Sequence, residues 1–451
     1  MKQHEMTSPA INSTGLPVGF SAQFRSLVAR KLVRNTLVFS MAEVANKAIP
    51  FLLLPIITRY MGPADYGKVA VFMAVVSVLA VFVGLNTQGA VSVAYFKLRP
   101  EELQKYIGNV LIILGSSTAV VLFSLLTTSR PLSALLGISR GWILIAAIMA
   151  LAQFITLINL VLWQVEQRST PYAIYQVSQT LFSTVLIILL VAALQLRSSG
   201  QLAAMATSTI IFAVLSLFFI IRRGYLQVEI HREYLKDALA FGLPLIPHAL
   251  SGWMLTGVDR FYLTLLQGSA STGLYATGYQ FGLIIGILAA SFNRAWAPFL
   301  FSRLESIDIQ GKIKIVKTTY VYFIGILLLA LALSVVGPWF ISFYLGGQFR
   351  AASQFVFWVA LGYAFDGMYY MVVNQILYIN KTKSLATITF SVGLCHLIVS
   401  YALIRLNGSV GAAQATTFSF FLTFVLVWIL SSKVYPMPWR FWRYPSTTEA
   451  A

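Results

Sequence analysis

Long apolar runs recur along the whole chain, and short polar segments separate them. Each run holds about 18 residues or more, which as a helix is enough to cross about 30 Å of hydrocarbon. Single strands cannot do this, because their backbone groups would remain unpaired in lipid. The pattern predicts an all-α polytopic membrane protein with about twelve transmembrane helices, over residues 36–58, 67–95, 108–128, 141–162, 172–195, 202–221, 238–266, 272–300, 317–337, 352–378, 384–404 and 409–431.

The composition supports this class of protein. Hydrophobic residues make up 58% of the 451 positions and charged residues only 10%, which is too little charge to coat a soluble globule of this size. A net charge of +18 in a soluble protein would suggest nucleic acid as a partner, but no nucleic-acid-binding motif accompanies it. The single cysteine, Cys395, lies in an apolar run, which argues against a disulfide framework and a metal cluster.

The positive charges are better explained by membrane topology. If the N-terminus is cytoplasmic, the predicted cytoplasmic segments hold 22 of the 32 Lys and Arg residues, the outer loops hold 7, and 3 lie inside helices. Positive residues concentrate on the cytoplasmic side of membrane proteins. We therefore predict a multi-pass protein of a bacterial inner membrane with both termini in the cytoplasm.

A weak internal repeat divides the twelve helices into two halves. Gly62 and Gly67 follow the first helix, and Gly268 and Gly273 follow the seventh, 206 residues later. Such a parallel repeat is common in transporters, although glycine-containing turns also match by chance. The repeat predicts two six-helix lobes around a central cavity. The predicted segments are a cytoplasmic N-terminal segment (1–35), an N-lobe (36–222), a cytoplasmic linker (223–237), a C-lobe (238–431) and a cytoplasmic tail (432–451).

The first predicted helix carries two charged residues, Glu43 and Lys47. Their i,i+4 spacing places both on one face, with the acid first, which is the better order for pairing. One interpretation is an internal salt bridge that offsets two desolvation costs. The other is a pair that faces an aqueous cavity and meets substrate or a proton.

The seventh predicted helix is rich in unusual residues. Pro244 and Pro247 interrupt the hydrogen-bond ladder near its start, which predicts either a static kink or a hinge. His248 is either hydrogen-bonded packing or a group that titrates near neutrality. Asp259 and Arg260 lie towards its outer end as ion-pair or coupling candidates, and neighbours on a helix point about 100° apart, so they need not pair with each other.

Further polar residues lie deep in other predicted helices. Asn293 and Arg294 fall in the inner third of the eighth helix, where Arg294 either snorkels to headgroups or forms a cation in a cavity. Asn86 and Gln88 end the second helix at a similar depth. Asp366 lies in the tenth helix among tyrosines, Asn374 and Gln375, a mixture that suits sugar hydroxyls or a network between helices. Lys47 and Arg294 favour an anionic substrate such as a phosphate or pyrophosphate.

The sequence lacks the motifs of common membrane enzymes. It contains no Walker A loop, no HExxH, no GxSxG and no His/Cys cluster, and its predicted loops are too short for a soluble catalytic domain. We therefore expect no catalytic residue, no metal site and no enzymatic activity. No cofactor is expected, and the coupling ion is left open between H⁺ and Na⁺.

Several stretches resemble the polysaccharide-biosynthesis flippases of the Wzx type. They are Asn35-Thr36-Leu37-Val38-Phe39 and the run from Phe51 to Gly67 in the first half, and Phe241-Gly242-Leu243-Pro244-Leu245-Ile246-Pro247-His248, Val258-Asp259-Arg260 and Gly273-Leu274-Tyr275-Ala276 in the second. The resemblance covers helices 1, 2, 7 and 8 well and the other helices by hydropathy and number only.

The resemblance implies membership of the multidrug/oligosaccharidyl-lipid/polysaccharide exporters, with helices 1, 2, 7 and 8 lining the cavity. The implied function is alternating-access transfer of an undecaprenyl-pyrophosphate-linked oligosaccharide to the periplasmic leaflet, for O-antigen, capsule or exopolysaccharide. Lys47, Arg294, Asn293, Asn86 and Gln88 are then substrate-binding candidates. Membrane lipids, a polysaccharide polymerase and a chain-length regulator are candidate partners. The alternatives are a cation-coupled multidrug exporter, a peptidoglycan-precursor flippase and a scaffold.

Overall fold

The computed structural model describes residues 22–304 and 307–443, with only the backbone described for residues 22–33, 36, 37 and 443. Residues 1–21 and 444–451 of the predicted terminal segments lie outside the described residues. The α-helices are α1 (Ala22–Tyr60), α2 (Pro63–Gly84), α3 (Gln88–Lys97), α4 (Pro100–Leu136), α5 (Arg140–Val165), α6 (Ser169–Ile187), α7 (Arg197–Arg222), α8 (Arg232–Gly242), α9 (Ile246–Thr256), α10 (Val258–Gln267), α11 (Ser269–Leu304), α12 (Ile309–Tyr344), α13 (Ser353–Tyr378), α14 (Thr382–Asn407) and α15 (Val410–Val434).

Twelve segments of the described chain are long and apolar enough to cross a membrane, which confirms the predicted number. A π-helical turn, Ile188–Ala193, extends α6, and α8, α9 and α10 together form the seventh span. Twelve crossings return the chain to the side on which it began. Val38 and Val434 therefore lie at the same end of the bundle, which we call the terminal side.

The second span is interrupted where a continuous helix was predicted. After Gly84, Leu85 and Asn86 adopt left-handed backbone angles (φ 46° and 54°) before α3 begins. Gly242 lies against this break, where an added Cβ would come within 2.1 Å of the Leu85 carbonyl oxygen. A close backbone crossing, which the local sequence does not specify, therefore accompanies the break in the second span.

In the seventh span the predicted interruption at the prolines is present. The segment Leu243–Leu245, which contains Pro244, is a 3₁₀ turn, and Pro247 lies in the first turn of α9. A second interruption at Gly257 separates α9 from α10 and was not predicted. The seventh span therefore consists of three helical pieces.

The spans form two groups. Within the first, α2 packs on α5 and α1 on α6; within the second, α13 packs on both α11 and α15. The two groups meet mainly along α2 and α11, which agrees with the predicted two-lobe arrangement. Helix α8 packs on α3 and α4 of the first lobe, although the chain after it continues into the second.

Large apolar side chains cover the outside of the bundle. Val335, Phe343 and Leu406 are 78%, 80% and 78% exposed. A surface of this kind is stable in hydrocarbon, where apolar side chains lose nothing by exposure. The outside of the bundle therefore has the character of a lipid-facing surface.

Candidate functional site: a cavity between the lobes

A cavity of about 690 Å³ lies between the two lobes. Ligand sites in proteins commonly have volumes of about 300–1,000 Å³. Residues of α1, α2, α5, α6 and α7 form one wall, and residues of α9, α10, α11 and α13 form the other. The resemblance implied that spans 1, 2, 7 and 8 line the cavity, and spans 4, 5, 6 and 10 also contribute.

The polar lining of this cavity consists mainly of amides and hydroxyls. Five carboxamides come from five different helices, and the hydroxyls come from both walls. The amides are Asn46, Gln153, Gln179, Gln201 and Gln280, and the hydroxyl residues are Tyr66, Ser77, Thr180, Ser183, Thr184, Ser208, Thr209, Thr256, Tyr279 and Tyr363. Among the described residues that line the cavity there is no Asp and no Glu. Such a surface can donate to and accept from many hydroxyl groups at once.

Among the described residues of the lining, Arg260 is the one that carries a charge. Its guanidinium lies 4.8 Å from the ring centre of Tyr279 and 5.8 Å from that of Tyr275, and it donates to the Thr256 carbonyl. Each ion pair in the described part of the chain joins a carboxylate to a cation other than Arg260. A guanidinium held by aromatic faces keeps its charge and its free donors available for an anion.

On the side opposite the termini the cavity is closed by contacts between α2 and α11. Gln280 donates to the Tyr66 hydroxyl across the lobes (2.6 Å). Next to this bond, Gly67 and Gly273 bring the two backbones together: an added Cβ on Gly67 would lie 1.8 Å from the Ser269 carbonyl oxygen. A Cβ on Gly273 would lie 1.9 Å from the Pro63 carbonyl oxygen. The two repeated glycine turns therefore face each other and form the closure.

A charged cluster joins the lobes nearer the terminal side. Glu43 pairs with Lys47 on its own helix (3.3 Å) and with Arg294 of the other lobe (2.5 Å). All three side chains are about 40% exposed (Lys47 43%, Glu43 41%, Arg294 40%). Asn46, which lines the cavity, follows Glu43 by three residues, so the cluster lies about one helical turn from the cavity wall. The predicted salt bridge between Glu43 and Lys47 is therefore present and accessible, and a role for the pair with substrate or a proton stays a prediction.

Asp259 is placed differently from its neighbour Arg260. It is 1% exposed, and both of its carboxylate oxygens accept hydrogen bonds within the second lobe. Its partners are His396 (3.1 Å), Ser400 (2.5 Å), Tyr275 (2.9 Å) and Thr416 (2.9 Å). Asp259 and Arg260, which as helix neighbours need not pair, form no ion pair with each other in the described structure: Asp259 is buried in the lobe, and Arg260 faces the cavity.

The remaining predicted polar residues lie away from the cavity lining. Asn86 and Gln88 lie at the break in the second span, where Asn86 Nδ2 and Gln88 Oε1 are buried without a hydrogen bond in the described structure. Asn293 accepts from Asn374 of α13 (2.9 Å), and Asp366 hydrogen-bonds Tyr370 on its own helix. These contacts lie within single lobes. Their roles in binding or coupling stay predictions.

Sequence reasoning missed His396 and most of the cavity amides. Gln153 and Gln280 are single amides in apolar runs, whereas Gln179 and Gln201 lie in short polar stretches, and neither setting marks them as residues of one cavity. Their convergence depends on helix packing. Conversely, His248, which the sequence singled out, is exposed.

The twelve spans and the cavity between two lobes agree with the fold that the resemblance implied. The sequence matches the family described as polysaccharide biosynthesis protein over residues 32–304. The chain belongs to this family, as the resemblance predicted.

Two relatives match most of the length of the chain. The chain is 24% identical to a Haemophilus influenzae uncharacterized membrane protein, over 79% of this chain and 86% of that one. It is 21% identical to the Staphylococcus aureus capsular polysaccharide biosynthesis protein CapF, over 90% of this chain and 100% of the other.

Two solved structures share the fold. Lipid II flippase MurJ, in an inward closed conformation, matches with a TM-score of 0.70 at 15% identity, covering 89% of this chain and 87% of that one. An inward-facing MATE family multidrug resistance transporter matches with a TM-score of 0.66 at 13% identity, covering 88% and 94%. At these identities the likeness establishes the fold.

Proposed function

We propose that this protein is a flippase that moves an undecaprenyl-pyrophosphate-linked oligosaccharide across the inner membrane by alternating access. The terminal side is placed in the cytoplasm, because the positive residues concentrate there. The headgroup enters the cavity from that side and leaves towards the periplasm, while the lipid tail stays in the bilayer. Unaided transfer of so many polar groups through hydrocarbon would be prohibitive.

The observation that carries this proposal is the chemistry of the cavity. Five carboxamides and many hydroxyls provide the mixed donors and acceptors that sugar hydroxyls require, and Arg260 supplies one positive charge that no acid among the described lining residues offsets. Arg260 would repel a cationic drug, and no acid among the described lining residues would attract it. The cavity therefore favours a neutral or anionic sugar headgroup.

The charged cluster at the terminal side supports a place for the pyrophosphate. Arg294 and Lys47 both contact the carboxylate of Glu43, and all three side chains are accessible. A pyrophosphate carries more negative charge than a carboxylate and accepts more hydrogen bonds, so it can displace Glu43 from the two cations. We propose that substrate binding exchanges the Glu43 carboxylate for the pyrophosphate and so loosens the contact between the lobes.

The second candidate is a cation-coupled multidrug exporter, which the likeness to the MATE transporter favours. The names of the relatives favour the first candidate, since CapF is described as a capsular polysaccharide biosynthesis protein and MurJ as a lipid II flippase. Neither candidate is an enzyme. A polysaccharide polymerase and a chain-length regulator are the proposed partners downstream of flipping.

A transport assay with the full chain in liposomes tests the proposal. A fluorescent undecaprenyl-pyrophosphate oligosaccharide, read with an impermeant quencher, is expected to equilibrate between leaflets faster than in protein-free liposomes. A cationic dye in the same liposomes is expected to show no protein-dependent flux. Dye flux without oligosaccharide flipping would instead identify the multidrug exporter.

Exchanging the charges of Glu43 and Arg294 separates a binding role from a purely structural one. The single variants Glu43→Arg and Arg294→Glu are each expected to lose most flipping, because each leaves like charges facing across the lobes (2.5 Å in the native pair). The double variant restores the ion pair. We expect it to stay inactive in the liposome assay, because both cations then lie on α1 and the second lobe presents a carboxylate where Arg294 would bind the pyrophosphate.

The control for this experiment is Glu229→Gln, which removes an ion pair with Lys105 (2.8 Å) outside the cavity. The Lys105 ammonium keeps the pKa of Glu229 below its usual range, so the pair is charged at neutral pH. Wild-type flipping is expected for this variant. Recovery of flipping in the Glu43→Arg, Arg294→Glu double variant would show that the pair only holds the lobes together.

A further inference from the structure

The start of α12 and the chain that follows α15 form a cationic and aromatic surface at the terminal side of the second lobe. We call it the basic surface, and it consists of Lys312, Lys314, Lys317, Tyr435, Arg440 and Phe441. We propose that the basic surface binds the headgroup phosphate of an anionic phospholipid, such as phosphatidylglycerol. The proposal goes beyond transport and does not depend on which substrate enters the cavity.

The chain after α15 folds back onto the neighbouring helices. Tyr435 donates its hydroxyl to the Leu304 carbonyl at the end of α11 (3.3 Å). Tyr320 of α12 donates to the Trp439 carbonyl (3.2 Å), and the Trp439 ring packs on Trp428 of α15 with the ring centres 5.2 Å apart. These contacts hold the tail beside the lysines of α12.

Neutral groups hold the lysine ammonium groups of the basic surface. Lys312 Nζ donates to the Pro436 carbonyl (3.4 Å) and lies 5.0 Å from the ring centre of Tyr435. Lys317 Nζ lies 5.3 Å from the ring centre of Phe441. Within residues 22–304 and 307–443, no carboxylate forms an ion pair with a cation of the basic surface. Cations held only by carbonyls and rings keep their charge available for an external anion.

One face of α12 connects these lysines to an apolar stripe. The stripe consists of exposed residues that follow one another by three or four positions: Val321, Ile324, Leu328, Leu331 and Val335. Residues at this spacing share one face of a helix, and Lys317 and Lys314 continue the face four and seven residues before Val321. At 1.5 Å per residue, the two lysines lie about 6 Å and about 10 Å beyond Val321. A phospholipid whose chains cover the stripe therefore places its headgroup beside the lysines.

The tail adds groups that suit the level of the headgroups. Phe441 packs on Tyr320 with the ring centres 6.1 Å apart, and the next residue, Trp442, is exposed. Aromatic and basic residues of membrane proteins concentrate where hydrocarbon meets headgroups. Arg440 precedes Phe441 and is exposed, and a guanidinium can donate to two oxygens of one phosphate. The tail and α12 can thus contact the same phosphate from two sides.

The charge of the basic surface favours an anionic headgroup over a zwitterionic one. A choline or ethanolamine headgroup carries an ammonium group, which the lysines would repel. Asp308, which precedes α12, already accepts from the backbone N–H of Gly311 (2.9 Å). A phosphatidylglycerol headgroup has no ammonium group, and its hydroxyls can donate to and accept from the tail.

Quenching of Trp442 by brominated lipids tests the proposal. The full chain is reconstituted into vesicles of phosphatidylcholine and phosphatidylglycerol, with bromine on the acyl chains of either lipid. The quenching that is absent from Trp442→Phe reports the lipid beside this residue. A basic residue at an anionic surface contributes about 5-fold to binding, so we expect roughly a 25-fold preference for phosphatidylglycerol. In the double variant Lys314→Gln, Lys317→Gln the preference is expected to fall below about 3-fold.

Matched variants separate a specific site from general attraction. Lys97→Gln, Lys236→Gln removes two exposed lysines at the terminal side of the first lobe and is expected to keep the preference. Lys314→Arg, Lys317→Arg keeps the charge and is expected to keep it too. An equal loss in both glutamine variants, or no preference in the unmodified protein, would overturn the proposal. Inorganic phosphate at millimolar concentration is expected to leave the preference unchanged, and displacement of the lipid by it would assign the surface to a soluble anion instead.

Discussion

Replacing Arg260 by glutamine is expected to reduce flipping of the lipid-linked oligosaccharide by roughly 10- to 100-fold. Hydrogen bonds to charged groups contribute about 1.5–3 kcal/mol each, and about 1.4 kcal/mol corresponds to a factor of ten. Arg260 is the one charged residue in the described lining of the cavity, so no neighbouring cation replaces it. The liposome assay with the fluorescent substrate measures the change, at equal amounts of incorporated protein.

Two further variants show whether the effect belongs to the cavity. Arg260→Lys keeps the charge but loses the planar donors, and is expected to retain part of the activity. Arg405→Gln removes a similar arginine, which bonds the Tyr401 hydroxyl (3.0 Å) and lies over its ring (5.4 Å) outside the cavity. That control is expected to flip at the wild-type rate. Normal flipping by Arg260→Gln would remove Arg260 from the proposed binding site.

Alanine at Gly67 and Gly273 is expected to prevent closure on the side opposite the termini. The added Cβ atoms would lie 1.8 Å and 1.9 Å from backbone oxygens of the other lobe, so α2 and α11 would have to separate. Small residues permit such close approach of membrane helices. Overpacking costs about 1–3 kcal/mol, which shifts an equilibrium by roughly 5- to 150-fold. The population open on that side should increase accordingly.

Labelling of a single thiol measures this opening. In a Cys395→Ser background, a cysteine at Ala70 lines the cavity one turn from Gly67. An impermeant maleimide added on the side opposite the termini is expected to react faster in both glycine variants. Gly62→Ala is the matched control, because its Cβ meets only the Gln348 side chain, at 3.2 Å. Equal labelling rates in all variants would show that the glycine contact does not control access.

The number of spans was predictable because hydrophobic length is a local property of the chain. Each apolar run can be recognised as a membrane span from its own residues, without knowledge of the rest of the fold. The twelve spans of the structure match the twelve predicted. The glycine turns were also visible locally, and their spacing correctly indicated a repeat. That Gly67 lies against Ser269 and Gly273 could not be predicted, since the contact depends on how two lobes dock.

The two histidines of the membrane spans show the limit of local signals. Both His248 and His396 are single polar residues in apolar runs, and nothing nearby in sequence distinguishes them. The structure buries His396 completely against Asp259, 137 residues away, and leaves His248 exposed. The difference arises from packing of α14 on α9, α10 and α15.

The contacts of the charged residues were also predictable only in part. The sequence alone was enough to predict the membrane class and the helix count, which depend on summed hydropathy, and the two-lobe plan, which followed from the repeated glycine turns. It also offered the Glu43–Lys47 salt bridge as one of two interpretations, because the i,i+4 spacing places both residues on one helix face. Only the tertiary structure decided that Glu43 also binds Arg294 and that Arg260 faces the cavity while Asp259 is buried. Adjacent helix positions point in different directions, and the helix that each one meets is selected by packing of the whole bundle.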